Sequence, residues 1–415
     1  MIKAVLITLV VAATMGGALA QTPNTNAPTS ASPNKSPESR SSAALALSPN
    51  PVLDEATAAR ITATIDLFRQ VVSRGGWPSI PQNTTADIKT PPNDHLVRQR
   101  LIASNDLTEN DNDLSRAIKA FQARHGIPET GTVGPRTLAA LNVPAEKRLK
   151  QLEASLKRIE TLGFNFAPRY VVVNIPAAFV EAIENGKVVR RYRVIVGKSE
   201  KPSPTVTSQI TSVNLNPNWT VPASITKGEI AAHMRKDATY LERMHMQVFD
   251  AKNQLVQPSS IDWTNTKALN IVVRQLPGEW NALGRVKIDM PNPFAVYMHD
   301  TNQKNLFSND YRFDSHGCAR VDNVRDLAAW LLDDVPYWER SQIDEVIASG
   351  DRVDVKLTQK MPVAWVYLTA WVTGDGKIQF RDDVYDQDAQ LTAASLEETE
   401  FFKRAADRPS TSATR

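Results

Sequence analysis

A thiol and an imidazole can together make and resolve an acyl intermediate. This 415-residue chain has one cysteine, Cys318, and six histidines. Cys318 stands in Ser315-His316-Gly317-Cys318-Ala319-Arg320-Val321, and His299 precedes it in Tyr297-Met298-His299-Asp300, with 15 residues from 300 to 314 in between. A lone cysteine with a separated histidine is a candidate nucleophile and base. It can equally be a small, inert core residue, so its setting has to decide. At a pKa of about 8.5 only a few per cent of a free thiol is ionised at pH 7, so the chemistry needs help with the proton and donors for an oxyanion. Backbone N–H groups around Gly317 and Cys318 are the natural donors. A metal site built from His299, His316 and Cys318 is the rival chemistry, but His316-x-Cys318 has no second ligand pair and structural zinc takes four ligands. A serine hydrolase would need a Gly-x-Ser-x-Gly elbow, which the sequence lacks. His95, His125, His233 and His245 read as surface or packing residues.

The elements around the cysteine follow from periodicity. Phe294 to Met298 is an apolar, aromatic run that predicts a strand delivering His299 and Asp300 to its end. After Gly317, Val324, Leu327, Ala328, Leu331 and Leu332 predict a helix over 323–332, with Asp322 or Asn323 as N-cap. Cys318 is therefore expected just before a helix N-terminus, where the dipole and free N–H groups favour an anion, and such a terminus together with a histidine can move a thiol pKa below 7.

Upstream, Tyr170 to Pro176 is rich in β-formers, and Phe179–Ile183, Asn185-Gly186 and Val188–Val196 read as a hairpin with an Asn-Gly turn. Further strands are expected near 210–215, 269–274 and 286–288, and together they predict a β-sandwich or barrel. The run Trp365, Tyr367, Trp371 belongs to a strand core. Ser224 to Gln247 breaks the pattern and is helical in character, so 220–268 is expected to be a lid-like helical insertion. Helices are predicted over 53–73, 95–101 and 147–162, and Thr85 to Pro92 is a polar, proline-bounded turn. Between them lies a compact unit, 114–141. Leu114, Ala117, Ile118 and Phe121 share a helix face there, and Gly131 and Gly134 lead through Pro135 into a second helix.

The chain opens with a short apolar run and Ala18-Leu19-Ala20, the form of a cleaved secretory leader. The run is short of the roughly 20 residues of a membrane span. No cysteine lies near the cleavage position, which excludes a lipoprotein anchor; a retained N-terminal anchor is the alternative. Residues 21–51 are a Pro/Ser/Asn-rich tether expected to lack structure. A free thiol in an exported protein is a liability unless used or hidden. The net charge of +3 and pI near 8.8 suit an anionic envelope without indicating nucleic acid.

The motifs at 114–142 (Ala117-Ile118-Phe121-Gln122, Gly126-Ile127, Gly131-Thr132-Val133-Gly134-Pro135, Leu138-Ala140-Leu141-Asn142) closely resemble the peptidoglycan-binding domain of cell-wall enzymes, a three-helix module. His299, the 15-residue interval and Ser315-His316-Gly317-Cys318 resemble the signature of the L,D-transpeptidases. The stretches Asn216–Trp219, Gln275–Gly278, Asn281–Gly284, Tyr297–Thr301 and Ala370–Val372 extend the resemblance over roughly 53–388. The familiar form has asparagine two places after the cysteine; this chain has Arg320, as does a long periplasmic subgroup.

The resemblance implies an α+β chain: a mainly-β, sandwich-like catalytic domain with a helical insertion, preceded by a small all-α peptidoglycan-binding domain. The expected boundaries are leader 1–20, linker 21–51, helical scaffold 52–110, binding domain 111–145, connecting helix 146–167, catalytic domain 168–390 and tail 391–415. It implies Cys318 as nucleophile and His299 as general base, oriented by a backbone carbonyl rather than by Asp300. Ser315, His316, Gly317, Arg320 and Tyr297 become substrate-binding or oxyanion neighbours, with no cofactor or metal. The implied reaction is attack on the third residue of a peptidoglycan tetrapeptide stem, loss of D-Ala, and resolution of the thioester by a neighbouring stem amine. Water, a D-amino acid or a protein amine (tethering an outer-membrane protein to the wall) are alternative acceptors, and carbapenem-type β-lactams are implied covalent inhibitors. A non-catalytic wall-binding protein is the reading from another class.

Overall fold

The computed structural model describes residues 48–81 and 93–391. The expected leader, most of the tether, the turn over Thr85–Pro92 and the tail after 391 lie outside the described residues.

The catalytic half is a sheet that closes on itself. Its strands are β1 (Arg169–Asn174), β2 (Phe179–Glu184), β3 (Lys187–Gly197), β4 (Val206–Leu215), β5 (Trp219–Thr220), β6 (Met246–Phe249), β7 (Leu255–Val256), β8 (Val272–Gln275), β9 (Val286–Asp289), β10 (Met298–His299), β11 (Phe313–Ser315), β12 (Ala319–Val321), β13 (Val353–Val366), β14 (Ala370–Val372) and β15 (Ile378–Phe380). The large sheet runs β11-β3-β12-β10-β9-β4-β13-β1-β2, and pairing of β2 with β3 joins its ends into a barrel. The mainly-β expectation holds, with closure in place of two open sheets. The Asn-Gly hairpin forms at β2–β3, Asn185 at φ 51° and Gly186 at φ 75°. Those positive values are what a two-residue hairpin turn of this kind requires.

The wall at β1 and β13 is buried on both faces, and period two divides its side chains between two cores. Val171, Val173, Val363, Trp365 and Tyr367 point into the barrel. Tyr170, Val172, Ala364, Val366 and Leu368 point outward to a helical layer, where Ile61, Ile65 and Phe68 of α1 (Thr57–Ser73) meet them. The binding module has α2 (Asn93–Ala103), α3 (Leu114–Arg124) and α4 (Pro135–Leu141). The Asp113 side chain caps α3 by accepting from the Arg116 N–H at 3.0 Å. Leu101, Ile118, Phe121, Val133 and Leu141 share one core with Val97 of α2. Helix α2 thus packs with α3 and α4 in one core. Helix α5 (Ala145–Glu160) leads from the module back to the outer layer through Leu152.

The insertion departs from expectation. Short helical turns at Ala223–Ile225, Ala231–Met234 and Tyr240–Arg243 and a π-turn at Thr226–Ile230 are followed by strand, and Met246 and Gln247 already belong to β6. Strands β5-β8-β6-β7 form a four-stranded sheet, and Val221, Ile230, Leu241, Val248, Trp263 and Val273 give it a core of its own. It is a mixed α/β subdomain, not a helical excursion, because alternate residues of β6 and β8 must bury Met246, Val248 and Val273. The expected five-residue strand at 294–298 shrinks to β10. Asn292 turns the chain by accepting from the N–H of Phe294 at 3.1 Å and donating to the Val296 carbonyl at 2.7 Å, and Ala295 takes φ 53°.

Candidate active site

Strands β10 and β12 run side by side in parallel, Met298 opposite Ala319 and His299 opposite Arg320. Met298, Ala319 and Val321 fill the barrel core. Side-chain alternation then sets Tyr297 and His299, Cys318 and Arg320 on the other face. The Tyr297 and His299 rings meet edge-on with centroids 5.6 Å apart. Two pairs separated in sequence are assembled by register, and the Ala319 N–H to Tyr297 carbonyl bond at 3.1 Å fixes that register beside the cysteine.

The turn carrying Cys318 is held by hydroxyls. Buried Ser315 donates from Oγ to the Cys318 carbonyl at 2.6 Å and accepts from the Gly317 N–H at 3.1 Å. Ser203 donates to the Gly317 carbonyl at 2.7 Å while accepting from the Gly197 N–H at 2.9 Å. Gly317 sits at φ 112°, a conformation side-chain-bearing residues avoid. Its N–H is engaged by Ser315 and is not available as an oxyanion donor, contrary to expectation. The Cys318 N–H is in none of the hydrogen bonds among the described residues.

The helix-terminus expectation fails. Cys318 is followed by strand β12, and α6 begins only at Val324 (Val324–Leu331), with Asn323 in left-handed conformation and no side-chain cap. Burial pushes the thiol up to about 11, against the Tyr297 main chain, Lys287, Arg320 and the Tyr297 hydroxyl, which act the other way. His299 is pushed down to about 3 by burial and then by Arg320. The resting pair is neutral thiol and neutral imidazole. The buried His299 Nδ1 meets no partner, while the Asp300 main chain works weakly to raise the imidazole.

Asp300 itself is structural. Its carboxylate accepts from the Arg285 N–H at 2.9 Å, pairs with Lys304, and packs where Gly284 leaves no room for a Cβ. Arg320 donates to Gln303 Oε1 at 2.9 Å, and burial lowers its pKa while Asp314 and Cys318 support its charge. His316 lies off this face: its Nε2 is 2.7 Å from Glu229 Oε1, in the π-turn of the insertion.

Three residues were not singled out from sequence. Trp219 neighbours Tyr297 and acts against the burial that pushes the Tyr297 hydroxyl up, and its only sequence signal is the stretch Asn216–Trp219. Glu229, 87 positions from its partner His316, had no local signal. Lys287, on β9, lies over the Tyr297 ring at 4.7 Å. The metal alternative finds no support in donors: among the described residues no three His, Cys, Asp or Glu side chains converge as ligands.

A barrel-borne thiol, a neighbouring imidazole and a hydroxyl-braced turn define a cysteine-dependent acyl-transfer class of site. Residues 168–355 match the L,D-transpeptidase catalytic domain and 97–141 a peptidoglycan binding domain, the latter taking in α2 from Val97 on. The chain carries an L,D-transpeptidase catalytic domain preceded by a peptidoglycan-binding domain. A Haemophilus influenzae protein provisionally named an L,D-transpeptidase is 31% identical over 227 residues, 54% of this chain and 46% of that one. The chain thus spans about half the length of the curated relative it matches. Solved L,D-transpeptidases from Stackebrandtia nassauensis (13% identical, 70% of this chain and 96% of that one, TM-score 0.25) and Xylanimonas cellulosilytica (16%, 70% and 98%, TM-score 0.23) are also similar to it. Superpositions this loose carry no information about the site.

Proposed function

We propose that the chain is a peptidoglycan L,D-transpeptidase exported by its N-terminal leader to the periplasm, where it acts on the cell wall. The carrying observation is the placement of Cys318, Tyr297, His299 and Arg320 on one face of a domain that matches the L,D-transpeptidase catalytic model. Cys318 Sγ attacks the carbonyl of the third stem residue. Since thiol and imidazole rest neutral, the proton passes to His299 as the sulfur bonds to carbon, and negative charge moves onto the carbonyl oxygen rather than accumulating on sulfur. The Cys318 N–H is the main-chain donor left to meet that oxygen. His299 returns the proton to the departing D-Ala amine, leaving a thioester. A side-chain amine from a neighbouring stem resolves it as a 3→3 cross-link, and carbapenems would acylate the same sulfur.

Intact-protein mass spectrometry with a tetrapeptide donor tests this directly. The expected result is a thioester adduct on Cys318 whose mass is that of the donor less D-Ala, and no adduct or 3→3 dimer from Cys318→Ala. Undiminished dimer from that variant would overturn the reading. Product analysis with stem amine, D-amino acid or water alone separates transpeptidation from exchange and carboxypeptidation, and dimer must dominate. We also read the insertion as a lid. Replacing it by a short linker should slow acylation while the barrel stays folded; unchanged acylation would count against it.

A further inference from the structure

A cleft opens on the insertion, its walls including Trp219, Glu229, Tyr240, Met244, Gln275 and Trp280. Aromatic and apolar side chains dominate the lining, joined by Gln275, Asn302, His233 and one carboxylate, with no lysine and no arginine. Two of its lining residues, Trp219 and Glu229, connect it to the catalytic turn. Glu229 bonds to His316, two residues before the nucleophile, at 2.7 Å, and Trp219 neighbours Tyr297, whose hydroxyl supports the Cys318 thiolate. His233 stacks on Tyr240 at 4.4 Å and His245 on Trp280 at 3.7 Å, so both rings of the wall are backed rather than loose.

Glu229 is half-exposed, and its two recorded partners, His316 Nε2 at 2.7 Å and Lys201 Nζ at 3.6 Å, both meet Oε1. Oε2 is left for a ligand. Burial pushes this carboxyl up, but the His316 hydrogen bond and charge, with Lys201 and Lys198, outweigh it and hold the group below its ordinary range. A carboxylate at the mouth of an aromatic cleft recognises a cationic amine, by charge and by the faces of the rings.

We propose that this cleft is the acceptor site and that Glu229 selects an acceptor by the ammonium group of its diamino-acid side chain. The inference rests on the transpeptidase reading and adds where the second substrate sits and what it must carry. Bound as an ammonium, the acceptor gives one proton to solvent. The free amine then attacks the thioester carbonyl; the C–N bond forms, the C–S bond breaks, and the second proton ends on the Cys318 sulfur as thiol.

The test uses the full chain acylated with tetrapeptide donor, and reads how the acyl-enzyme divides between aminolysis by a diamino-acid stem and hydrolysis. A ratio taken on molecules already acylated cancels any change in acylation. Glu229→Gln should lower the aminolysis-to-hydrolysis ratio about tenfold by raising the acceptor concentration for half-saturation. Tyr240→Leu, which removes a ring face and no charge, should lower it about threefold. A quaternary ammonium analogue, which cannot attack, should inhibit aminolysis in the wild type and lose that effect in Glu229→Gln. An unchanged ratio in Glu229→Gln, or equal inhibition of both proteins, overturns the acceptor site. Failure of the wild type to form any thioester would instead overturn the transpeptidase reading.

Discussion

His299 and His125 are the two buried histidines of the described residues, and their surroundings differ in an instructive way. Both imidazoles are held far below their ordinary range, His299 by burial and Arg320, His125 by burial, Arg124 and Arg148. At His125 every face is occupied. Its Nδ1 meets the Phe121 carbonyl at 2.8 Å, and its ring lies between Phe121 at 3.8 Å and Phe380 at 5.5 Å. That stack joins the binding module to the β14–β15 hairpin. Arg381 reinforces it, donating to the Arg124 carbonyl at 3.0 Å and packing where Gly126 has no side chain. At His299 a ring nitrogen is left unpaired on a face shared with a thiol. Burial and a shifted pKa are common to both; unused hydrogen-bonding capacity beside a nucleophile distinguishes the candidate catalytic one.

The widest gap between the two should appear on substitution. His299→Gln is expected to slow acylation of Cys318 by a stem donor by about 10²–10⁴, the range for losing a general base, with little change in melting temperature. His125→Ala should do the reverse, costing about 3 kcal/mol of stability from a lost buried ring while acylation per folded molecule stays near wild type. Stopped-flow acylation and chemical denaturation measure the two. Equal stability losses would erase the distinction.

Acid sharpens it next. Both groups have folded values below the unfolded histidine value of about 6.5, so between those values the unfolded chain binds protons that the folded chain refuses. The stability they contribute is therefore present above about pH 6.5 and lost as pH falls towards their folded values. His125→Phe keeps a ring in the stack and removes one titration. Its melting temperature should fall less than that of the wild type between pH 6.5 and 4, and parallel curves would show that His125 does not carry the acid sensitivity.

These contrasts bear on what the sequence made legible. Ser315 to Arg320 and His299 could be read because their spacing is local, and the hairpin because Asn185-Gly186 states its turn. The helix-terminus reading of Cys318 failed because β12 has partners on both sides, β10 and β3, and those ladders claim Ala319–Val321 before any helix can start. The insertion was read as helical because the helix-forming run at its start masks short strands whose partners are distant. Glu229 and the crowding around His125 depend on contacts between separate elements, and no window of sequence contains them.

Thiol ionisation comes third in size. Alkylation of Cys318 by iodoacetamide should be slow at pH 7 and climb towards an apparent midpoint of about 11. A midpoint below 7 would restore the activated-thiolate picture. Tyr297→Phe removes a hydroxyl that supports the thiolate, so the midpoint should move up and acylation slow about tenfold, roughly one hydrogen bond to a charged group.

Arg320 should give the smallest effect and separates the two groups on the face most finely. Its charge favours the thiolate of Cys318 and disfavours the imidazolium of His299, so it makes both groups release protons more readily. Arg320→Asn, the residue of the commoner form of the motif, should therefore raise both pKa values together. A weaker nucleophile and a stronger base offset one another, and acylation at pH 7 should stay within about threefold of wild type, as expected for a half-screened charge. The alkylation midpoint, which reads the sulfur alone, should still move up. Loss of acylation by 10²-fold or more would mean that the guanidinium, held at 2.9 Å by Gln303, binds substrate directly instead of tuning the pair.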